Sequence, residues 1–166
     1  MSDEMIIKQE CTAQVKLMAR RAALLHYFFS KTLVEALGEE EGKRLIQKTT
    51  LAYGEYCGRA ILEGVKALGL PNTQENFDKI PDLPHYGWDV EVHTLPGGEQ
   101  RPIVRYCPLA EVFMQFGEEG MRLGRLYCYV DQGKQLAYNP DFDFIHTKNL
   151  LDGDPYCEFL IQPHKD

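Results

Sequence analysis

Long apolar runs are absent. No stretch approaches 18 uninterrupted apolar residues, so no segment is suited to cross a bilayer as a helix. Positive charge is also in short supply: 18 Lys and Arg face 25 Asp and Glu, for a formal net charge of −7. That balance argues against a surface built for nucleic-acid phosphates. The first residues, Met1-Ser2-Asp3-Glu4, lead into no basic-then-apolar pattern, so a secretory leader is not expected. Closely spaced cysteine pairs are missing too. The five cysteines, at positions 11, 57, 107, 128 and 157, are odd in number and far apart, which fits the reduced thiols of a cytoplasmic protein better than a disulfide framework. The chain has no G-x-S-x-G, H-E-x-x-H or G-x-x-x-x-G-K-[ST], the signatures of esterase elbows, zinc proteases and phosphate loops.

What is present is an ordinary globular composition, 44% hydrophobic and 26% charged over 166 residues. This is enough for a single domain, 1–166, with its own core. Residues 1–70 read as two long helices. In the first, Val15, Met18, Ala22, Leu25, Phe29 and Leu33 recur at three- and four-residue steps, the stripe a packed helix buries. Gly38 ends it, and Glu39, Glu40 and Glu41 suit the positive start of the second. The second runs through Ile46, Tyr53, Cys57, Ile61 and Val65 to the stop at Gly69-Leu70-Pro71-Asn72. The short connection makes the helices antiparallel neighbours. Gly54 and Gly58 inside the second helix each cost about 1 kcal/mol relative to Ala, and close helix packing is the favoured reason, with an approaching ligand as the alternative.

After a proline-containing transition over 72–87, the period changes across 86–163. Trp88, Val90 and Val92 alternate with Asp89, Glu91 and His93 as a half-buried strand, and 103–107 returns after the turn Pro96-Gly97-Gly98. Pro108 starts a short helix that Gly117 closes. A further helix is expected over 118–131, with Gly133 as its end. Two more strands, around Phe142–Thr147 and Cys157–Ile161, flank the turn Asp152-Gly153-Asp154-Pro155. The fold class is α+β: two long N-terminal helices packed with an antiparallel sheet of about four strands and two shorter helices.

The candidate chemistry lies in the second half, which carries −6 of the net charge. On a helix over 118–131, Met121, Gly124, Cys128 and Asp131 share a face through steps of three, four and three, and Gly124 would let a ligand approach the backbone beside the thiol and the carboxylate. The competing view makes Cys128 a small buried hydrophobe and Asp131 a surface charge. Cys107 ends a strand and precedes a proline-led helix, where orphan N–H groups favour thiolate, although Pro108 removes one of them. The phase of Cys157 with Phe159 and Ile161 favours a core thiol. Cys107, Cys128 and Cys157 with His146 offer a metal-ligand set by residue type, but gaps of 21 and 29 residues between the thiols lack the close ligand pairs of structural zinc sites. Cys11 and Cys57 sit on apolar helical stripes as core residues. His26, His85, His93 and His164 default to loop or surface roles.

Taken together, Tyr106-Cys107-Pro108-Leu109-Ala110-Glu111, then Cys128-Tyr129-Val130-Asp131, Asn139-Pro140 and Leu150 through Phe159 form an ordered pattern: a Cys after a strand, a C-x-x-D, and a closing G-D-x-x-C-x-F. This pattern resembles the L-2-amino-thiazoline-4-carboxylic acid hydrolase family, whose members are also similar to four-vinyl-reductase-type small-molecule-binding domains. The resemblance implies hydrolytic opening of a small cyclic C=N compound, an amidine- or thiazoline-like ring, giving in the named case an N-carbamoyl cysteine. It places catalytic roles on Asp131, as base or amidinium anchor, and on Cys107 or Cys128, as a possible nucleophile. Arg105 and Arg125 would meet a substrate carboxylate, and Gly124, His146 and Cys157 would complete the binding set. The partner implied is a small-molecule substrate, with no nucleic acid, membrane or cofactor. The alternative function is a non-catalytic sensor or carrier domain using the same cysteine-lined pocket, and a third is a metal- or redox-responsive cysteine protein. The oligomeric state is not legible at this level.

Overall fold

The computed structural model describes residues 7–84, 86–96 and 100–163. Helix α1 spans Lys8–Leu37 and α2 spans Glu39–Ala67, reversed at Gly38, whose φ of 84° is open to glycine at little cost. Strands β1 (Asp89–Thr94) and β2 (Gln100–Tyr106) form a hairpin, followed by α3 (Pro108–Met114), α4 (Gly117–Tyr127), α5 (Tyr129–Tyr138), β3 (Phe142–Lys148) and β4 (Cys157–Pro163). The four strands make one antiparallel sheet in the order β1-β2-β4-β3, with Val104 opposite Cys157. The architecture is α+β, with two long N-terminal helices. No helix among the described residues is long and apolar enough to cross a membrane.

Two apolar clusters hold the helices together. Ala23 and Tyr27 of α1, Ile46 of α2, Ala110 and Phe113 of α3, Leu123 of α4 and Leu151 form one. Ile61 and Val65 of α2 with Tyr138 of α5 form the other, capped by Phe77 and Ile80. A Cβ on Gly54 would overlap the backbone oxygen of Val130, one on Gly58 that of Lys134, and one on Gly133 that of Leu51. The helices α2 and α5 therefore cross in backbone contact. Close packing is what Gly54 and Gly58 serve, and Gly133 belongs to the same crossing.

Four expectations are corrected. The helix expected over 118–131 is two helices, broken at Cys128, so Met121 and Gly124 lie on α4 while Asp131 lies on α5; Gly133 sits inside α5 instead of ending it. Strand β1 is exposed along its length, because it forms one edge of the sheet. The stripe expected to bury α1 faces outward at its centre: Ala19, Ala23, Tyr27 and Ser30 are buried, whereas Met18, Leu25 and Phe29 are 67%, 61% and 65% exposed. His26 is no surface group; its Nε2 lies 3.1 Å from the carbonyl oxygen of Leu123 and 3.3 Å from the Ser30 hydroxyl. His93 is on the exposed edge, 3.3 Å from Glu91. His85, His164 and the Gly97-Gly98 turn lie outside the described residues.

Candidate functional site

A cavity of about 580 Å³ opens between α2, α5, the start of α3 and the inner face of the sheet. Its chemistry is divided between a thiol wall and a charged end. The thiol wall consists of Cys107, Cys128 and Cys157, brought from three elements onto one surface. Cys107 is the N-cap of α3, with Pro108 at the first helical position. No capping hydrogen bond forms from its side chain, but the N–H groups of Leu109 and Ala110 and the Trp88 side chain still favour the thiolate. Burial outweighs them and pushes the thiol upward. Cys128 occupies the break between α4 and α5. Burial, seconded by the charge of Asp131, pushes its pKa up to about 12. Cys157 starts β4, is buried, and accepts a hydrogen bond from the Leu150 N–H at 3.4 Å; burial raises its pKa as well. At neutral pH all three are thiols. The lowered pKa that a helix start would give Cys107 is therefore overturned by desolvation.

The charged end is built by α5 and the segment between α2 and β1. Lys134, buried on α5, places Nζ 2.7 Å from Asp82 and 3.7 Å from Asp131, one turn before it on the same helix. Burial works against the ammonium, yet Asp131 and Asp82 together hold its pKa above the ordinary value. Asp82 reaches the cavity because its segment is strapped down: the Tyr138 hydroxyl donates to the Thr73 carbonyl at 2.7 Å, Asn139 donates to the Asn72 carbonyl at 2.7 Å, and Phe77 meets the Tyr138 ring edge-on at 5.0 Å. Tyr53 and Cys57, on consecutive turns of α2, also line the cavity, and burial with the Asp82 charge raises the Cys57 thiol. Lys134 is the one cation among the described residues that line this cavity, against Asp78, Asp82 and Asp131.

Four of the residues singled out in sequence thus meet here: Cys107, Cys128, Asp131 and Cys157. The others do not. Arg105 points off the outer side of the hairpin, where its guanidinium grips Glu91 at 3.1 Å. Arg125 pairs with Asp152 at 2.9 Å and, with His146, lines a shallow depression on the far side of Cys128. Gly124 gives a ligand no access, because a Cβ there would run into the Phe113 ring; its small size serves core packing. His146 is packed edge-on against Phe144 and Phe159, and burial lowers its pKa to about 4. Among the described residues no group of three His, Cys, Asp or Glu is arranged to hold a metal ion; the three thiols and His146 do not converge on one.

Sequence reasoning missed Lys134, Asp82, Tyr53, Cys57 and Asn149. The Lys134 signal was its three-residue step from Asp131. The signal for Tyr53 and Cys57 was their placement directly before Gly54 and Gly58, where α2 presses on α5. Asn149 is buried, with Oδ1 accepting from the Leu151 N–H at 2.9 Å and Nδ2 within 3.5 Å of the Cys128 sulfur. It links the thiol wall to the turn that starts β4.

With that geometry in place, comparison with known proteins decides the lineage. The profile of the L-2-amino-thiazoline-4-carboxylic acid hydrolase family matches residues 17–161. The chain belongs to this family. The match takes in the charged end and the thiol wall together, as well as most of both long helices. Among curated proteins, no sequence matches. Among solved structures, the fold is similar to a trafficking protein particle complex subunit 3 from Naegleria fowleri, whose crystal structure has palmitic acid covalently bound. The TM-score is 0.57 at 13% identity, over 90% of this chain and 97% of that one. At that identity the likeness is one of fold.

Proposed function

We propose that the chain is a hydrolase that opens a small cyclic amidine, of which 2-amino-thiazoline-4-carboxylate is the type, in the cavity bounded by Asp131, Lys134 and the three thiols. The observation that carries this reading is the pairing of Asp131 and Lys134 at the polar end of an otherwise apolar chamber. Membership of the hydrolase family supports the reaction class.

In the proposed step, water adds to the amidine carbon while the Asp131 carboxylate takes one of its protons. The tetrahedral carbon then collapses to a carbonyl as its bond to the ring sulfur breaks. The sulfur leaves with the bonding pair and takes up a proton, giving a free thiol and a carbamoyl group on nitrogen. The acidic excess at this end suits an amidinium, and the Lys134 ammonium is placed to meet the substrate carboxylate, the role expected in sequence of Arg105 or Arg125. Nucleophilic attack by Cys107 or Cys128 is disfavoured by their raised pKa values, because the attacking species would be the thiolate. In this reading the thiols shape an apolar wall against the ring.

A second reading has its own observation. The cavity is large and mainly apolar for a single small ring, and the solved structure of similar fold holds palmitic acid. A binding domain for an apolar chain therefore competes with the enzyme. Anaerobic incubation with 2-amino-thiazoline-4-carboxylate, following new thiol and product mass, separates the two. The hydrolase reading expects turnover that falls at least about 100-fold in Asp131→Asn with the melting temperature preserved. No turnover by folded protein that instead retains a fatty acid would favour the binding domain.

A further inference from the structure

Helix α1 has two apolar faces and the fold uses only one. Ala19, Ala23, Tyr27 and Ser30 are buried, whereas Met18, Leu25 and Phe29 lie 67%, 61% and 65% exposed on the opposite side, flanked by Leu17 at 56% and Phe28 at 55%. Ala22, Thr32 and Ala36 fill the remaining positions of this outer stripe, so that from Met18 to Ala36 it advances by four, three, four, three and four residues without a charge. That is the 3.5-residue repeat of a coiled-coil seam, and a contiguous apolar patch of this kind marks a contact surface.

We propose that this face pairs antiparallel with the same face of a second copy of the chain. Charge selects the occupant and the direction. The row adjoining the stripe is Gln14, Arg21, Phe28 and Glu35, at seven-residue steps. Arg21 has no ion pair among the described residues, and Glu35 meets only Lys31, at 3.6 Å, with its side chain 64% exposed. A two-fold axis midway between Tyr27 and Phe28 sets Arg21 of each copy beside Glu35 of the other and Phe28 beside its own copy. In the seam, the same axis brings Leu25 against Phe29, Ala22 against Thr32 and Met18 against Ala36, with large against small in the outermost layer. A parallel pairing would instead leave Arg21 and Glu35 on each copy without an opposite charge. The overlap, residues 17 to 37, spans about 30 Å of helix. Such a self-complementary patch is what a two-fold interface requires.

Sedimentation equilibrium on the full chain tests the pairing. The expected mass at micromolar concentration is twice the 19.0 kDa of one chain. The double substitution Leu25→Glu/Phe29→Glu should give a monomer with unchanged circular dichroism, since both side chains are exposed. Arg21→Glu alone should weaken the dimer about tenfold, and Arg21→Glu combined with Glu35→Arg should restore it. A wild-type monomer at high micromolar concentration would overturn the proposal, as would a dimer indifferent to Leu25→Glu/Phe29→Glu. Loss of the dimer in that variant with no response to either charge change would overturn the antiparallel arrangement. A monomer that binds phosphatidylcholine vesicles through this face would assign the surface to lipid and likewise overturn it.

Discussion

Among the individual residues, Lys134 holds the charged end of the cavity together. It is the buried cation between Asp82 and Asp131, so its replacement leaves two carboxylates facing each other without compensation. Lys134→Gln is expected to destabilise the fold by about 3 kcal/mol, and Lys134→Arg by much less. If the ammonium also meets the substrate carboxylate, Lys134→Arg should retain kcat better than Lys134→Gln, which should show a raised KM in steady-state assays at a temperature where it remains folded. Cys107→Ser and Cys128→Ser should keep most of the turnover, because both side chains are protonated thiols at neutral pH; a loss to background in either would restore the nucleophile. His146 provides a pH readout. Burial holds its pKa at about 4 against an ordinary 6.5, so between those values the unfolded chain binds the additional proton. Stability should therefore be full above about pH 6.5 and fall by about 2 kcal/mol by pH 5. Urea midpoints across that range check the fall, which His146→Gln should flatten; His26, also lowered by burial, adds in the same direction.

In the helices and strands, legibility followed how local the determining signal is. Gly38 and the Pro108-led start of α3 were readable because a turn and a helix N-terminus impose their chemistry on adjacent residues. The Gly54–Gly58 contact was readable as close packing, though not its partner. The glycine that completes it, Gly133, lies 75 positions beyond Gly58 and reads in sequence as a helix end, since a glycine in sequence does not reveal whether a helix stops or another backbone touches it. Cys128 reads in sequence as the interior of one helix, because nothing in Gly-Arg-Leu-Tyr-Cys-Tyr-Val-Asp breaks the pattern; the chain instead breaks there into α4 and α5. The crossing also supplies the element-scale prediction. Gly58→Ala would push a methyl into the Lys134 carbonyl, a backbone atom that cannot rotate away, and should cost about 2–3 kcal/mol in denaturant unfolding. The same substitution displaces α5, so the Asp131–Lys134 pair should lose activity beyond the loss of folded protein.

For the whole molecule, the α1 stripe shows why a correct period can yield a wrong face. Met18, Leu25 and Phe29 have the spacing and hydrophobicity of core residues, yet the buried face of α1 is the one with Ala19, Ala23 and Ser30 around Tyr27, whose ring stacks on Phe116 and whose hydroxyl donates to Glu119. The apolar positions are legible in the sequence, but which face meets which neighbour is settled by tertiary packing. The site followed the same logic: the thiols and Asp131 stood in recognisable motifs, whereas Asp82 and Lys134 become partners only once the strap after α2 is docked on Tyr138. Similarly, Arg105 and Arg125 are the plausible cations by charge alone, but both lie outside the cavity, paired with Glu91 and Asp152.

The proposed hydrolysis requires the cavity at the α2–α5 crossing to be a reaction chamber for a cyclic amidine. The most direct measurement is product formation from 2-amino-thiazoline-4-carboxylate under anaerobic conditions, read by mass and by new thiol, for the wild type and Asp131→Asn side by side. The account predicts an N-carbamoyl cysteine from the wild type and almost none from the folded variant. Equal turnover by both proteins would remove Asp131 from the chemistry and contradict the site described here.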